Sequence, residues 1–355
     1  MSEPDIVCEK RGAAGFVLLN RPKALNALNH AMVEGLSAAL DAWEDDASVE
    51  RVVISGAGDR AFCAGGDIRL MHDLGKAGDH AGQLKFWREE YILNQKIARY
   101  PKPYVALIDG FDMGGGVGVS IHGSHRIAGD KLMFAMPEVS IGFFPDVGAT
   151  YFLPRLPGRV GTWLALTGAR IGAGDACAFG LATTYVPSAR FSELVSALEA
   201  AGDTDAIIAG FSASAPTARF ANERNIIDEC FGQPDVAGIL TGLAAASAGG
   251  NAFASETLAS LSGKSPTSVA LGLRQMQMGA ALDIDEALCV EYRIVSRICR
   301  GHDFYEGVRA VIIDKDNSPH WRPARHEELD TAVIESHFAS LGADELVFPV
   351  RKATA

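Results

Sequence analysis

The apolar residues of this chain fall into two kinds of pattern. Short, nearly unbroken aliphatic runs occur at Phe16-Val-Leu-Leu-Asn20, Arg51-Val-Val-Ile-Ser55, Tyr104-Val-Ala-Leu-Ile108 and Leu132-Met-Phe-Ala135. Runs of this length, bounded by turn residues, predict buried strands. Arg21-Pro22 ends the first, and Gly56-Ala-Gly-Asp59 follows the second. Elsewhere the period changes. Met32, Leu36, Leu40 and Trp43 share one helical stripe, and Asn29 is placed to cap its first turn. Strands that alternate with helices predict an α/β fold with a mainly parallel sheet covered by helices.

After about Gly180 the pattern weakens. Positions 188–260 are rich in Ala, Ser and Gly and read as helices and loops. Ser265-Pro266-Thr267 predicts a helix start, because the hydroxyl caps and the proline needs no partner for its missing N–H there. Asp283 to Arg300 predicts a further helix with Leu288, Tyr292 and Val295 inward, and the segment His302 to Asp316 follows it. The tail from Arg351 is expected to fray. The expected organisation is a core over residues 1–190, a helical or loop extension over 191–260, and C-terminal helices over 261–350 that cover the active site.

Composition narrows the function classes. The 355 residues are 48% hydrophobic and 21% charged, which excludes a disordered or collagen-like chain. Lys+Arg 32 against Asp+Glu 44 leaves a net charge of −12. That argues against a nucleic-acid binder and against a protein held on an anionic membrane by charge. An anionic ligand would need a local basic or helix-terminal site. The six cysteines are scattered without a CxxC pair and read as reduced thiols. The most apolar stretch, Tyr104 to Ile121, carries Asp109, Asp112 and five glycines, so no membrane span is predicted. The first residues, MSEPDIVCEKRGAAG, lack a basic-then-apolar signal pattern. Together these features predict a soluble, cytoplasmic protein.

Four segments carry candidate chemistry. Ala61-Phe-Cys-Ala-Gly65-Gly66-Asp67-Ile68 and Met113-Gly114-Gly115-Gly116-Val117-Gly118 each follow a predicted strand. Two glycine turns of this kind can aim two backbone N–H groups at one oxygen, as an oxyanion hole does. Taken alone, each is as readily a tight turn. Phe134-Ala-Met-Pro137-Glu138 and Phe143-Phe-Pro145-Asp146-Val-Gly148 each place a carboxylate in an apolar setting. Such a setting raises a carboxyl pKa toward the working pH, which suits acid–base chemistry. For Asp146 alone, an N-cap to a helix starting at Val147 is the simpler reading. Other signals fail. Gly56-Ala-Gly58 fits a dinucleotide turn, but no amphipathic helix follows it. Gly263-Lys264-Ser265 lacks the first glycine of a P-loop, since position 258 is Leu. His122, His125 and His302 are not at metal-ligand spacing and read as structural, so no metal is expected.

Taken in order, RPKALNAL (21–28), AFCAGGDI (61–68) and MGGGVG (113–118) resemble the signatures of the crotonase (enoyl-CoA hydratase/isomerase) superfamily. FWREEY (86–91), FAMPE (134–138), GFFPDVG (142–148), YFLPRL (151–156), SPTS (265–268) and RGHDFYEGVRAV (300–311) resemble, more narrowly, its branch that hydrolyses 3-hydroxyacyl-CoA thioesters. The likeness extends over nearly the whole chain and is poorest at residues 200–255. It implies a spiral of repeated ββα turns with C-terminal helices over the site. It implies an acyl-CoA substrate, with 3-hydroxyisobutyryl-CoA of valine breakdown favoured, no cofactor beyond the CoA of the substrate, and a homo-oligomer as a common state. Carried onto this chain, the N–H groups of Gly66 and Gly115 hold the thioester oxygen. Lys23, Ala24 and Leu25 lie near the CoA phosphates or adenine, with Asp67 and Ile68 beside the adenine end. Glu90 lines the acyl pocket, although alone it reads as a solvated helix charge. Glu138 attacks the carbonyl or activates water, and Asp146 orients the 3-hydroxyl or assists proton transfer.

One departure separates the branches. Hydratases carry Glu two residues after the third Gly of the GGG motif, and this chain has Gly118 there. Hydratases usually have Gly where this chain has Asp146. Addition of water to a double bond then lacks half of its carboxylate pair. The competing readings are a hydratase or isomerase, a non-catalytic acyl-CoA-binding protein, and a nicotinamide enzyme resting only on Gly56-Ala-Gly58.

Overall fold

The computed structural model describes residues 3–349; the expected fraying from Arg351 lies outside them. Among these residues the strands are β1 (Ile6–Arg11), β2 (Ala14–Leu19), β3 (Arg51–Gly56), β4 (Ala61–Cys63), β5 (Tyr104–Ile108), β6 (Phe111–Met113), β7 (His125–Ala128), β8 (Met133–Ala135), β9 (Ile171–Gly172) and β10 (Thr184–Tyr185). They form a larger sheet of order β1-β2-β3-β5-β7-β10 and a smaller one of order β4-β6-β8-β9. The β1/β2 and β8/β9 pairs are antiparallel, and the others are parallel.

The chain repeats one turn three times. β3 then β4, β5 then β6, and β7 then β8 each place one strand in the larger sheet and the next in the smaller. Helical segments follow each pair. The α/β expectation holds, and so does the ββα spiral. The predicted strand at Leu132–Ala135 holds as β8. The smaller sheet as a sheet is missed, because β4 and β6 are three residues each, too short to register as a period.

Local signals place the helices. Asn29 Oδ1 accepts from Met32 N–H at 3.0 Å and starts the helix His30–Glu44. Ser265 caps Pro266–Gly279, and Asp283 caps Ile284–Ile298 in a reciprocal box with Glu286. Leu288, Tyr292 and Val295 are buried, as expected.

The central strands read as continuous apolar runs because both faces are covered. Val52, Ile54, Ala106 and Ile108 face the main core, shared with the N-terminal and C-terminal helices. Val53, Val105 and Leu107 face the other way, against Leu194, Leu198 and Ile208. Those three come from the helices Phe191–Leu198 and Thr204–Ala209.

Arg51 fastens these helices to β3. Its side chain is fully buried. It donates to Leu198 O at 2.7 Å, Ala200 O at 2.6 Å and Thr204 Oγ1 at 2.9 Å, and also to Gly202 O. Removing the guanidinium strands these acceptors without a donor. Arg51→Met is expected to lose about 3 kcal/mol or more of stability in urea unfolding. A loss under about 1 kcal/mol would mean that water reaches these carbonyls.

Candidate active site

The small sheet aims the chemistry. Gly65 and Gly66 follow β4, Gly114 and Gly115 follow β6, and Glu138 follows β8. These strands are parallel neighbours, so their C-terminal ends open onto one crevice. Gly66 bridges Leu28 in a parallel register. Leu28 N–H donates to Gly65 O at 2.8 Å, and Asp67 N–H donates to Leu28 O at 2.8 Å. In such a bridge the middle residue's own N–H points to the opposite side, here away from Leu28. Gly114 sits at φ 49 and ψ −123, a region that side-chain-bearing residues avoid. It turns the chain so that Gly115 begins the one-turn helix Gly115–Gly118, where its N–H has no partner within the helix. A methyl group built on Gly115 would lie 3.0 Å from Gly66 N and 2.6 Å from Glu90 Oε1. The two glycine turns therefore face each other, with a carboxyl group alongside.

Three carboxyl groups converge here. A methyl group on Gly114 would lie 2.7 Å from Glu138 Oε1. Glu138 opens the 3-10 turn Glu138–Ile141 and is 6% exposed. Glu90 lies on the inward stripe of the helix His80–Ala98 and is 2% exposed. Asp146 is 4% exposed and accepts from the Tyr91 hydroxyl at 2.9 Å. It does not cap a helix side chain to backbone: the next helix, Ala149–Phe152, starts after Gly148. Burial pushes the Asp146 carboxyl from 3.8 up to about 7. Burial, then repulsion from Asp146, pushes Glu138 and Glu90 well above the usual carboxylate range. Glu138 Oε2 and Glu90 Oε1 are buried without a protein partner.

The groups line a cavity of about 640 Å³. Trp87 and Phe143 stack at 5.5 Å and form part of its wall. Arg170, Arg219 and Lys264 line it as well. Among the expected binding residues, Ile68 lines the cavity. The Asp67 carboxylate is engaged elsewhere, capping the helix Ile68–Lys76 and pairing with Arg21 at 3.1 Å. Lys23 and Ala24 lie exposed in the turn Pro22–Ala24, outside the cavity lining. Leu25 O accepts from Ala64 N–H at 3.0 Å, which ties this turn to the Gly65-Gly66 loop.

The sequence pattern overlooked several of these residues. Glu291 is fully buried, and its two oxygens accept from Gly148 N–H at 2.7 Å and Thr150 N–H at 2.8 Å. Burial and repulsion from Asp146 push it up to about 8. Its signal was visible: it falls on the stripe of Leu288 and Val295. Arg170, Arg219 and Lys264 carry no such signal, because they come together only in space. Among the described residues, one group has ligand atoms close enough for a metal: His30, Glu34 and Glu89. They are not part of the cavity lining. His122, expected to be structural, bonds Val147 O at 2.7 Å through Nε2.

An oxyanion-type turn pair at the ends of β4 and β6, on a ββα spiral, is the arrangement that the crotonase resemblance implies. A family model described as enoyl-CoA hydratase/isomerase matches residues 14–338, and the chain belongs to that family. Curated relatives include the mitochondrial 3-hydroxyisobutyryl-CoA hydrolase of Xenopus laevis, 45% identical over 95% of this chain and 89% of the relative. The protein of the same name from Homo sapiens is 42% identical over 97% and 91%. These names agree with the hydrolase branch read from the sequence. Among solved structures, one titled carnitinyl-CoA dehydratase from Mycobacterium thermoresistibile superposes with TM-score 0.92 at 41% identity, covering 98% of this chain and 99% of that one. Another, titled enoyl-CoA hydratase from Rhodobacter sphaeroides, gives 0.91 at 44%, covering 97% and 100%.

The expectation of a cytoplasmic protein is corrected by these relatives, whose names place them in mitochondria. Charge and composition report on solubility, whereas an organelle address is a separate signal recognised by a receptor. What remains of the earlier reading is narrower: no helix among the described residues is long and apolar enough to cross a membrane.

The raised Asp146 carboxyl makes stability depend on pH. The folded state holds this proton more tightly than the unfolded chain, so the parent loses stability as pH rises from about 4 to about 7. Asn does not titrate in that window. Asp146→Asn is therefore expected to gain stability relative to the parent across it, on the order of 2 to 4 kcal/mol. Thermal unfolding at both ends of the window checks this, and a constant difference would refute it.

Proposed function

We propose that this protein hydrolyses a 3-hydroxyacyl-CoA thioester, with 3-hydroxyisobutyryl-CoA as the preferred substrate, to the free hydroxy acid and CoA. The observation that carries this reading is the buried Glu138 carboxyl beside the facing turns of Gly66 and Gly115. The two N–H groups polarise the thioester carbonyl and stabilise the oxyanion as a fourth bond forms at its carbon. Ionised Glu138 attacks that carbon or takes a proton from the water that does. The C–S bond breaks, and the thiolate leaves as CoA and takes a proton. After direct attack the acyl group is left as a mixed anhydride with Glu138, which water then cleaves to free the hydroxy acid and the Glu138 carboxylate; after attack by water the hydroxy acid forms at once. Both routes use the same carboxylate in the same place. The backbone supplies the electrophile, so the reading requires no metal or redox cofactor.

Asp146 and Glu90 face the acyl side of this centre and bind the 3-hydroxyl. Arg170, Arg219 and Lys264 give the cavity wall local positive charge, which suits the CoA phosphates despite the net −12. Lys23 adds to that attraction from the neighbouring turn, with Ala24, Leu25, Asp67 and Ile68 framing the nucleotide end.

The names of the solved neighbours favour a second reading, hydration or dehydration. The site argues against it. A side chain at Gly118 has no room: its Cβ would lie 2.7 Å from Asn94 Nδ2 and 2.8 Å from Val147 Cβ. The second hydratase carboxylate is therefore missing, and its space is filled.

Glu138→Gln is expected to lower kcat by roughly a thousandfold while CoA-ester affinity stays within about threefold. Thiol release from 3-hydroxyisobutyryl-CoA and titration of a CoA ester measure the two; turnover at the parent rate would remove the assignment. With crotonyl-CoA the parent is expected to leave the enoyl absorbance unchanged. Gly118→Glu is expected to add no hydratase activity and to cost about 2 kcal/mol or more from crowding. Hydration by that variant would show that only the carboxylate separates the two reactions.

A further inference from the structure

We propose that Glu291 is a positioning residue for Asp146, acting through the segment Pro145 to Thr150. This inference rests on the assignment of Asp146 to the substrate 3-hydroxyl. Val147 sits at φ 52 and Gly148 at φ 91. A β-branched residue at positive φ is strained, and it persists only where its surroundings over-determine it. Three helices supply that constraint, each with one buried polar side chain. Tyr91, on His80–Ala98, donates to Asp146 Oδ2 at 2.9 Å. Gln275, on Pro266–Gly279, donates to Pro145 O at 2.8 Å and to Thr150 Oγ1 at 2.7 Å. Glu291, on Ile284–Ile298, accepts from the N–H groups of Gly148 and Thr150 with one oxygen each. All three side chains are 0% exposed.

Glu291 is the costly member of this clamp. A carboxylate at such depth, with Asp146 nearby, opposes folding. What its carboxyl group supplies is one acceptor oxygen to each of two N–H donors, Gly148 and Thr150. The short helix Ala149–Phe152 has no side-chain cap of its own, and Glu291 takes that place from across the core. A group that opposes folding yet fixes a strained loop beside a reacting centre is explained by the geometry it imposes on that loop.

The measurement is the ratio of kcat/KM for 3-hydroxyisobutyryl-CoA to that for isobutyryl-CoA, which lacks the hydroxyl. Glu291→Gln keeps the shape but offers one acceptor, and it is expected to lower this ratio about tenfold. Gln275→Met loosens the same segment from another helix and is expected to lower it as well, so the test survives if Glu291→Gln does not fold. Combined with Asp146→Asn, Glu291→Gln is expected to add no further loss, because both act on one contact. An unchanged ratio in both clamp variants, or multiplying losses in the double variant, would overturn the proposal. An unchanged ratio in Asp146→Asn itself would instead remove Asp146 from hydroxyl recognition, and the proposal with it.

Discussion

The dominant constraint is the crowding of desolvated carboxyl groups around two backbone N–H donors. Glu138, Glu90 and Asp146 surround the facing turns of Gly66 and Gly115, and Glu291 stands behind Asp146. Each is buried, and burial raises every one of them. Such a cluster weakens the folded state at neutral pH, because each charge formed there lacks water and meets another. The rest of the structure offsets this. Short strands hold the glycine turns to a rigid frame, the Tyr91 hydroxyl donates to Asp146, and two N–H groups donate to Glu291. The aromatic contacts among Trp87, Phe143 and Phe304 then exclude water from one wall.

The same packing decides which reaction the fold supports. Sites of one fold host many chemistries, so the fold alone assigns none. Here the segment carrying Asp146 also delivers Val147 against Gly118. Asn94 holds the other side, donating to Gly118 O at 3.0 Å. Gaining a carboxylate at 146 and leaving no room for one at 118 are thus two results of a single loop conformation. A change at either position alone would not convert one active site into the other.

The helix His80–Ala98 shows why a buried polar stripe is informative. Gln83, Glu90 and Asn94 lie on its inward face among Phe86, Trp87 and Tyr91. A stripe of this kind gives only a weak amphipathic period, and the helix is legible through its motif and not through its periodicity. Glu291 repeats the situation on Ile284–Ile298, on a stripe that is otherwise apolar. In both cases a carboxyl group at an inward position marks the site, because burial without purpose would be selected against on stability grounds.

The sequence by itself determined the α/β class, the capping of helices by Asn29, Ser265 and Asp283, and the residue types at the centre. These are local properties: an aliphatic run, a hydroxyl before a proline, a glycine pair after a strand. Family signatures extended them to the spiral, the glycine turns, Glu138 and Asp146. Tertiary structure alone decided the rest. It brought three-residue strands into a second sheet, which no period of that length can announce. It set Arg170, Arg219 and Lys264 on one cavity wall, and it spent the Asp67 carboxylate on Arg21 and a helix cap. It paired Glu291 with amides more than a hundred positions away, at Gly148 and Thr150. Contacts so distant along the chain depend on how the helices pack, and packing is a property of the whole fold that no local pattern records.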